Sequence, residues 1–208
     1  MTDALDTVLE RSRRLGFLGP GSLRVQREHA LGFALATGEA PERFLDLGSG
    51  GGIPGLVLAV EWPESEGVLL DAAERRCRFL VEAVEELDLG ERVSIRRGRA
   101  EEVGRQGDLR GSFDLVVARS FGSPAVTAEC AAPFLRAGGR LVVSDPPAAG
   151  GKGAEAAERW PSSGLALLGM ERDGALAEPF HYQIVVQRRR CPDRYPRRVG
   201  VPAKRPLF

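Results

Sequence analysis

Apolar positions recur every three to four residues at the start of the chain. Leu5, Val8, Leu9 and Leu15 share one face, and Val25, Ala30, Leu31, Phe33, Ala34 and Leu35 fill a second stretch. Residues 1–40 are therefore predicted as two helices, parted by the Gly- and Pro-rich turn "GFLGPGS". From residue 43 the pattern changes to short unbroken apolar runs. "RFLDLG" (43–48) reads as a buried strand, with Pro54 in the first turn of a helix reaching Trp62. "GVLLDA" (67–72) is a second strand. The helix after it runs to Leu89, repeats Cys77, Leu80, Val84 and Leu87 at three and four, and is ended by Gly90. "VSIRRG" (93–98), "FDLVVARS" (113–120) and "GRLVVSD" (139–145) read as three more strands. A helix over 124–136, ended by Gly138 and Gly139, precedes the last of these. Beyond the loop "PPAAGGKGA" a short helix is expected near Glu155 to Trp160. "LALLGMERDG" (165–174) and "HYQIVVQRR" (181–189) then form two strands joined too closely for a crossover.

Strand and helix in alternation predict an α/β fold. Its sheet is mostly parallel and seven-stranded, ends in a C-terminal antiparallel hairpin and carries helices on both faces. With 208 residues and 43% hydrophobic content the chain fits one core. The expected organisation is an N-terminal helical cap (1–40), a ligand-binding α/β domain (41–190) and a basic tail (191–208).

Charge is balanced overall, with 29 bases and 29 acids, but it is unevenly placed. Arg188, Arg189, Arg190, Arg194, Arg197, Arg198, Lys204 and Arg205 face one acid, Asp193, within residues 188–205. Such a stretch serves either as a solubilising end or as a surface that meets phosphate. Cys77, Cys130 and Cys191 are odd in number, far apart and without Cys-x-x-Cys spacing, which argues against a disulfide framework or a zinc site and suits a reducing cytoplasm. Asp3, Asp6, Glu10 and Arg11 fall where a signal peptide needs an apolar core, and no uncharged apolar run approaches the ~20 residues of a membrane span.

The chemistry concentrates in "FLDLGSGGGIPG" (44–55), where five glycines follow the first strand within eight residues. In an open α/β sheet this βα turn lies beside the ligand, and glycines bring bare backbone N–H groups against it. Two templates fit. Gly50, Gly52 and Gly55 satisfy the dinucleotide pattern G-x-G-x-x-G, while Asp46, Gly48, Gly50 and Gly52 satisfy D-x-G-x-G-x-G, which resembles the first motif of class I S-adenosylmethionine-dependent methyltransferases. An acid at the end of the first strand would repel a pyrophosphate but suits a protonated amine. The terminal hairpin also favours the methyl donor. Asp71, at the end of the second strand, can accept hydrogen bonds from both ribose hydroxyls in either fold. After the third strand, backbone N–H of Ala100 or Glu101 in "GRAEEV" can meet an adenine edge. The Glu101 side chain suits a solvated helix start equally well.

These residues resemble the small-subunit ribosomal RNA guanine-N7 methyltransferase family, also called glucose-inhibited division protein B. The carrying pieces are "RFLDLGSGGGIPGLVLA", "LLDAAERRCRFL", "GRAEEV", "FDLVVARSF" and "YPRRVGVPAKRP", over about residues 28–145 and 195–206. The resemblance implies S-adenosylmethionine as cofactor and methyl transfer to N7 of a guanine in ribosomal RNA or the small ribosomal subunit. It places the donor on Asp46, Gly48, Ser49, Gly50, Gly52, Pro54, Asp71, Ala100, Glu101 and Arg119. Guanine N7 has a lone pair and no proton, so attack on the methyl needs no general base. His29 and His181 accordingly read as structural.

Arg119, at the end of the fourth strand, is the expected catalytic residue, gripping guanine O6 or a phosphate. The alternative for its charge is an ion pair with an acid such as Asp145. Arg197, Arg198 and Lys204 in the tail are expected to follow an RNA backbone, helped by prolines that hold the chain extended. Phe121 reads as core, with stacking on a base as the alternative. Two stretches depart from the family: "LGFLGPGSLRVQREHALGF" lacks an Asn-Leu-Thr stretch, and Asp145 stands where the family has a lysine, which Lys152 in "GGKGA" is placed to offset. A methyltransferase acting on another RNA or a small molecule, a donor-binding RNA-binding protein without turnover, and an oxidoreductase are the competing readings.

Overall fold

The computed structural model describes residues 2–145 and 159–208. Two helices, α1 (Thr2–Arg14) and α2 (Leu23–Thr37), precede strand β1 (Arg43–Leu47). Next come α3 (Gly55–Glu61), β2 (Glu66–Asp71), α4 (Glu74–Glu86), β3 (Val93–Arg97), α5 (Ala100–Val103), β4 (Phe113–Ala118), α6 (Pro124–Ala131) and β5 (Leu135–Ser144). The chain closes with α7 (Ser162–Leu167), β6 (Met170–Leu176), β7 (Tyr182–Gln187) and α8 (Val201–Lys204). The strands form one seven-stranded sheet in the order β3-β2-β1-β4-β5-β7-β6. Pairing is parallel from β3 across to β5, while β7 runs antiparallel to both β5 and β6. This is the expected α/β architecture. Strand order reverses at β1 and β4, and there the crevice for a ligand opens.

Period-two alternation divides the core in two. Phe44, Leu69, Leu115 and Val117 join α1 to α4 on one face, whereas Leu45, Leu47, Leu70, Val116 and Ala118 join α5 to α7 on the other. Ser22 caps α2, its hydroxyl accepting from Val25 N–H at 3.3 Å. Val25 and Leu35, expected on the apolar face of this helix, stay 43% and 67% exposed. Deeper in α2, Gly32 lets Tyr182 approach, and the tyrosine hydroxyl donates to His29 C=O. A Cβ at position 32 would fall 2.2 Å from Tyr182 Oη. Gly32→Ala is therefore expected to cost about 1–3 kcal/mol of stability, read from the midpoint of urea unfolding.

Three local expectations are corrected. The helix predicted over 124–136 stops at Ala131, because residues 135–144 form one long strand. Gly138, at φ +84°, does not end a helix; it sits inside β5, where pairing with β4 shifts between Phe113 and Leu115. The strand predicted from residue 165 begins only at Met170, since 162–167 turn as α7 and leave Leu165 and Leu168 buried. The loop "PPAAGGKGA" and most of the helix expected near Glu155 lie outside the described residues; Trp160 is fully buried. Among the described residues no helix is long and apolar enough to cross a membrane.

Candidate active site

The turn between β1 and α3 is held from below by carboxylates. Asp71 Oδ2 accepts from Gly50 N–H at 2.9 Å and Asp71 Oδ1 from Ala73 N–H at 2.8 Å. The N–H groups of Gly48 and Ser49 both donate to Leu70 C=O, fixing the turn to the end of β2. Asp46 Oδ2 accepts from Gly55 N–H at 2.9 Å, and Ser49 Oγ donates to Asp46 C=O. Gly48 is required for two reasons. Its φ is +79°, and a Cβ there would lie 2.7 Å from Phe121 Cδ2. The Phe121 ring closes over the turn only because position 48 carries no side chain.

Ser12 of α1 also supports the turn. Fully buried, it donates its hydroxyl to Gly51 C=O at 2.8 Å. No sequence signal marks it, since a serine within an amphipathic helix looks like any other polar position. Pro54 follows Ile53 through a cis bond and is the N-cap of α3; Ser49, Gly52 and Pro54, like Asp46, Gly50 and Arg119, lie behind the residues that border the two cavities above the strand tips.

Two chambers open above the strand tips. A cavity of about 400 Å³ lies over β2 and β3, bordered by Gly48, Asp71, Ala100, Glu101, Phe121 and Ala203. A second, of about 510 Å³, lies over β4, β5 and β7 and is bordered by His29, Phe121, Asp145, Trp160, Phe180 and His181. Phe121 and Gly122 border both. They follow Ser120, a non-glycine residue at φ +54° that turns the chain sharply off β4. Phe121, expected as core, is thus the partition between the chambers. His29 and His181, expected as structural, border the second one. His29 packs at a tilt against Phe180 and Tyr182, with ring centroids 4.8 and 5.4 Å away, and burial pulls its pKa down to about 4.

Arg119 sits half-buried at the end of β4. Its Nη2 donates to Gln26 Oε1 at 3.4 Å, while Nη1 is buried without a partner. It does not pair with Asp145, whose carboxylate binds Arg159 at 2.8 Å and accepts from Trp160 Nε1 at 3.2 Å. Asp46 Oδ1 is likewise buried and unpartnered. Burial pushes the Asp46 carboxyl up to about 7, opposed mainly by the Gly55 N–H. Burial also lowers the pKa of Arg119, opposed by the Asp46 carboxyl. An orphaned acid and an orphaned base under one turn suit a ligand that is both cationic and carboxylated.

Between the ordinary carboxylate range and pH 7 the folded chain keeps a proton on Asp46 that the unfolded chain has lost. Stability from this group is therefore complete at low pH and is lost as pH rises through 7. His29, with its lowered pKa, acts in the opposite sense up to about pH 6.5 but is common to both proteins, so the melting temperature of the ligand-free parent is expected to fall relative to that of Asp46→Asn between pH 5 and 7.

The remaining sequence candidates are distributed unevenly. Glu101, expected in one reading as a solvated helix start, is buried and accepts from Gly200 N–H at 3.0 Å. Arg197 is turned inward to a fully buried carboxylate, Glu129, with Nη2–Oε2 at 2.6 Å and Nε–Oε1 at 2.9 Å. Arg198 and Lys204 are exposed, and Lys152 lies outside the described residues.

A doubly wound sheet of this order, with a glycine turn after β1 and an acid at the tip of β2, defines a class I S-adenosylmethionine-dependent methyltransferase. The fold is shared with an O-methyltransferase from Bacillus cereus in complex with SAH (TM-score 0.63, 17% identity, 88% of this chain and 89% of that one). It is shared equally with the O-methyltransferase TomG from Streptomyces achromogenes in complex with SAM (TM-score 0.61, 16% identity, 88% of each chain). Residues 29–150 match the family model "GidB: rRNA small subunit methyltransferase G". Ribosomal RNA small subunit methyltransferase G of Leuconostoc citreum is 36% identical over 176 residues, covering 78% of this chain and 68% of that protein. Its counterpart from Moorella thermoacetica is 37% identical over 168 residues, covering 79% and 69%. The chain belongs to the rRNA small subunit methyltransferase G family.

Proposed function

We propose that this protein methylates N7 of a guanine in small-subunit ribosomal RNA, taking the methyl from S-adenosylmethionine. The observation that carries this reading, beside the family match, is the meeting of two chambers at Phe121 and Gly122. One is built for a nucleoside with a diol, the other is lined by aromatic rings that can sandwich a flipped base. When bound, S-adenosylmethionine supplies a methyl made electrophilic by the sulfonium. Asp71 holds the ribose hydroxyls, backbone N–H of Ala100 or Glu101 meets the adenine, and Asp46 and Arg119 receive the amino acid end or, for Arg119, guanine O6. Guanine N7 carries no proton, so the residues need only hold it in line and exclude water. His29, held neutral by burial, adds no positive charge to repel the sulfonium.

The test is to incubate the protein with labelled S-adenosylmethionine and, in separate arms, undermethylated small subunits, bare small-subunit RNA and a small-metabolite extract. Label at guanine N7 in either RNA substrate, located by borohydride and aniline cleavage, is the expected result. Label confined to small metabolites would overturn the reading. Phosphate contact is assigned to the exposed Arg198 and Lys204. Lys204→Ala is expected to flatten the slope of log affinity against log salt by roughly 0.7 on single-stranded RNA.

A further inference from the structure

The segment expected to be a free basic tail is bound to the cleft by the two carboxylates that flank its adenine end. Glu101 stands at the start of α5, next to Ala100 on the cleft wall, and its side chain accepts from Gly200 N–H. Glu129 stands on α6, the helix whose Val126 and Cys130 form the facing wall. Beyond the bidentate grip on the guanidinium, it accepts from Arg197 N–H at 2.8 Å. Upstream, the Arg110 guanidinium donates to the carbonyls of Cys191, Pro192 and Tyr195, and Arg105 donates to Pro196 C=O. Gly200, at φ +77°, then turns the chain into α8, which buries Pro202 and presents Ala203 to the cavity.

We propose that residues 196–204 form the adenine-end wall of the donor cleft, with Ala203 as its surface and with Glu101 and Glu129 as positioning residues that hold it. The inference rests on the reading that this cleft binds S-adenosylmethionine. Charge in this segment is thereby divided: Arg197 serves the donor site, and Arg198 and Lys204 face outward. Burial supports that division, because Glu129 is fully enclosed and leaves Arg197 no freedom to follow an RNA strand. Small size at position 203 matters as well, since a larger side chain would project into the space the purine needs.

The experiment is calorimetric titration of the full chain with S-adenosylhomocysteine, comparing the parent with Ala203→Trp and Arg197→Gln. Ala203→Trp is expected to raise Kd at least tenfold, and Arg197→Gln at least fivefold, with the far-UV spectrum of each ligand-free variant unchanged. Hydrogen exchange of the parent is measured alongside, because it does not depend on a variant folding. The amides of Gly200, Val201, Ala203 and Lys204 are expected to become more protected when the ligand binds. Affinities within twofold of the parent for Ala203→Trp, or unchanged exchange over 200–204, would overturn the inference. If the parent itself fails to bind, the donor reading falls, which distinguishes that failure from loss of the wall alone.

Discussion

Arg119→Ala will lower kcat/KM for RNA methylation by roughly 30- to 700-fold. The guanidinium is half-buried, one of its terminal nitrogens has no partner and the other holds only a long bond to Gln26. A buried cation is kept in this state when a ligand completes its hydrogen bonds, and removing one side of such a pair costs about 2–4 kcal/mol, a factor of ten for each 1.4 kcal/mol. The loss should appear without unfolding, because Gln26 and Asp46 keep their other surroundings. Arg119→Lys keeps the charge but not the planar fork, and should recover only part of the activity. Measuring S-adenosylhomocysteine affinity in the same variants divides the effect. A loss carried by Kd places Arg119 on the donor, and a loss in turnover with Kd unchanged places it on the guanine.

Asp71→Ala will raise the Kd for S-adenosylhomocysteine by about 100-fold or more. Two roles are lost together. The carboxylate accepts from Gly50 N–H and Ala73 N–H, and a partly exposed hydrogen bond of this kind is worth about 1 kcal/mol. The same oxygens have lone pairs left over for a ribose diol, so the variant loses both the shape of the turn and the ligand's anchor. Asp71→Asn retains one acceptor and should fall between the parent and the alanine variant. Calorimetry with adenosine and with methionine as separate competitors checks the assignment, since the loss belongs to the nucleoside half.

Much of this was legible from residue pattern. The unbroken apolar runs identified buried parallel strands because β1 and β4 are covered on both faces. The glycine cluster and the acids at residues 46 and 71 located the crevice because backbone approach and a carboxylate at a strand tip leave local signatures. What stayed hidden depends on distant partners. Arg197 looks solvated in a run of bases, yet its acid lies 68 residues earlier on α6. Ser12, Glu129 and Ala203 act through contacts that no local spacing records. Gly138 reads as a helix end because glycine serves a strand bend as readily as a helix end. The aromatic lining of the second chamber comes from α2, the turn after β4, Trp160 before α7 and the segment before β7, which only the folded topology brings together.

The central claim is that the crevice above β1 and β2 receives S-adenosylmethionine beside a chamber for the base. A crystal structure with S-adenosylhomocysteine tests it most directly. The ribose hydroxyls should lie on the Asp71 carboxylate, the adenine between Ala100 and Ala203, and the sulfur should point toward Phe121. Ligand absent from this crevice at saturating concentration, or bound with its ribose away from Asp71, would contradict the account.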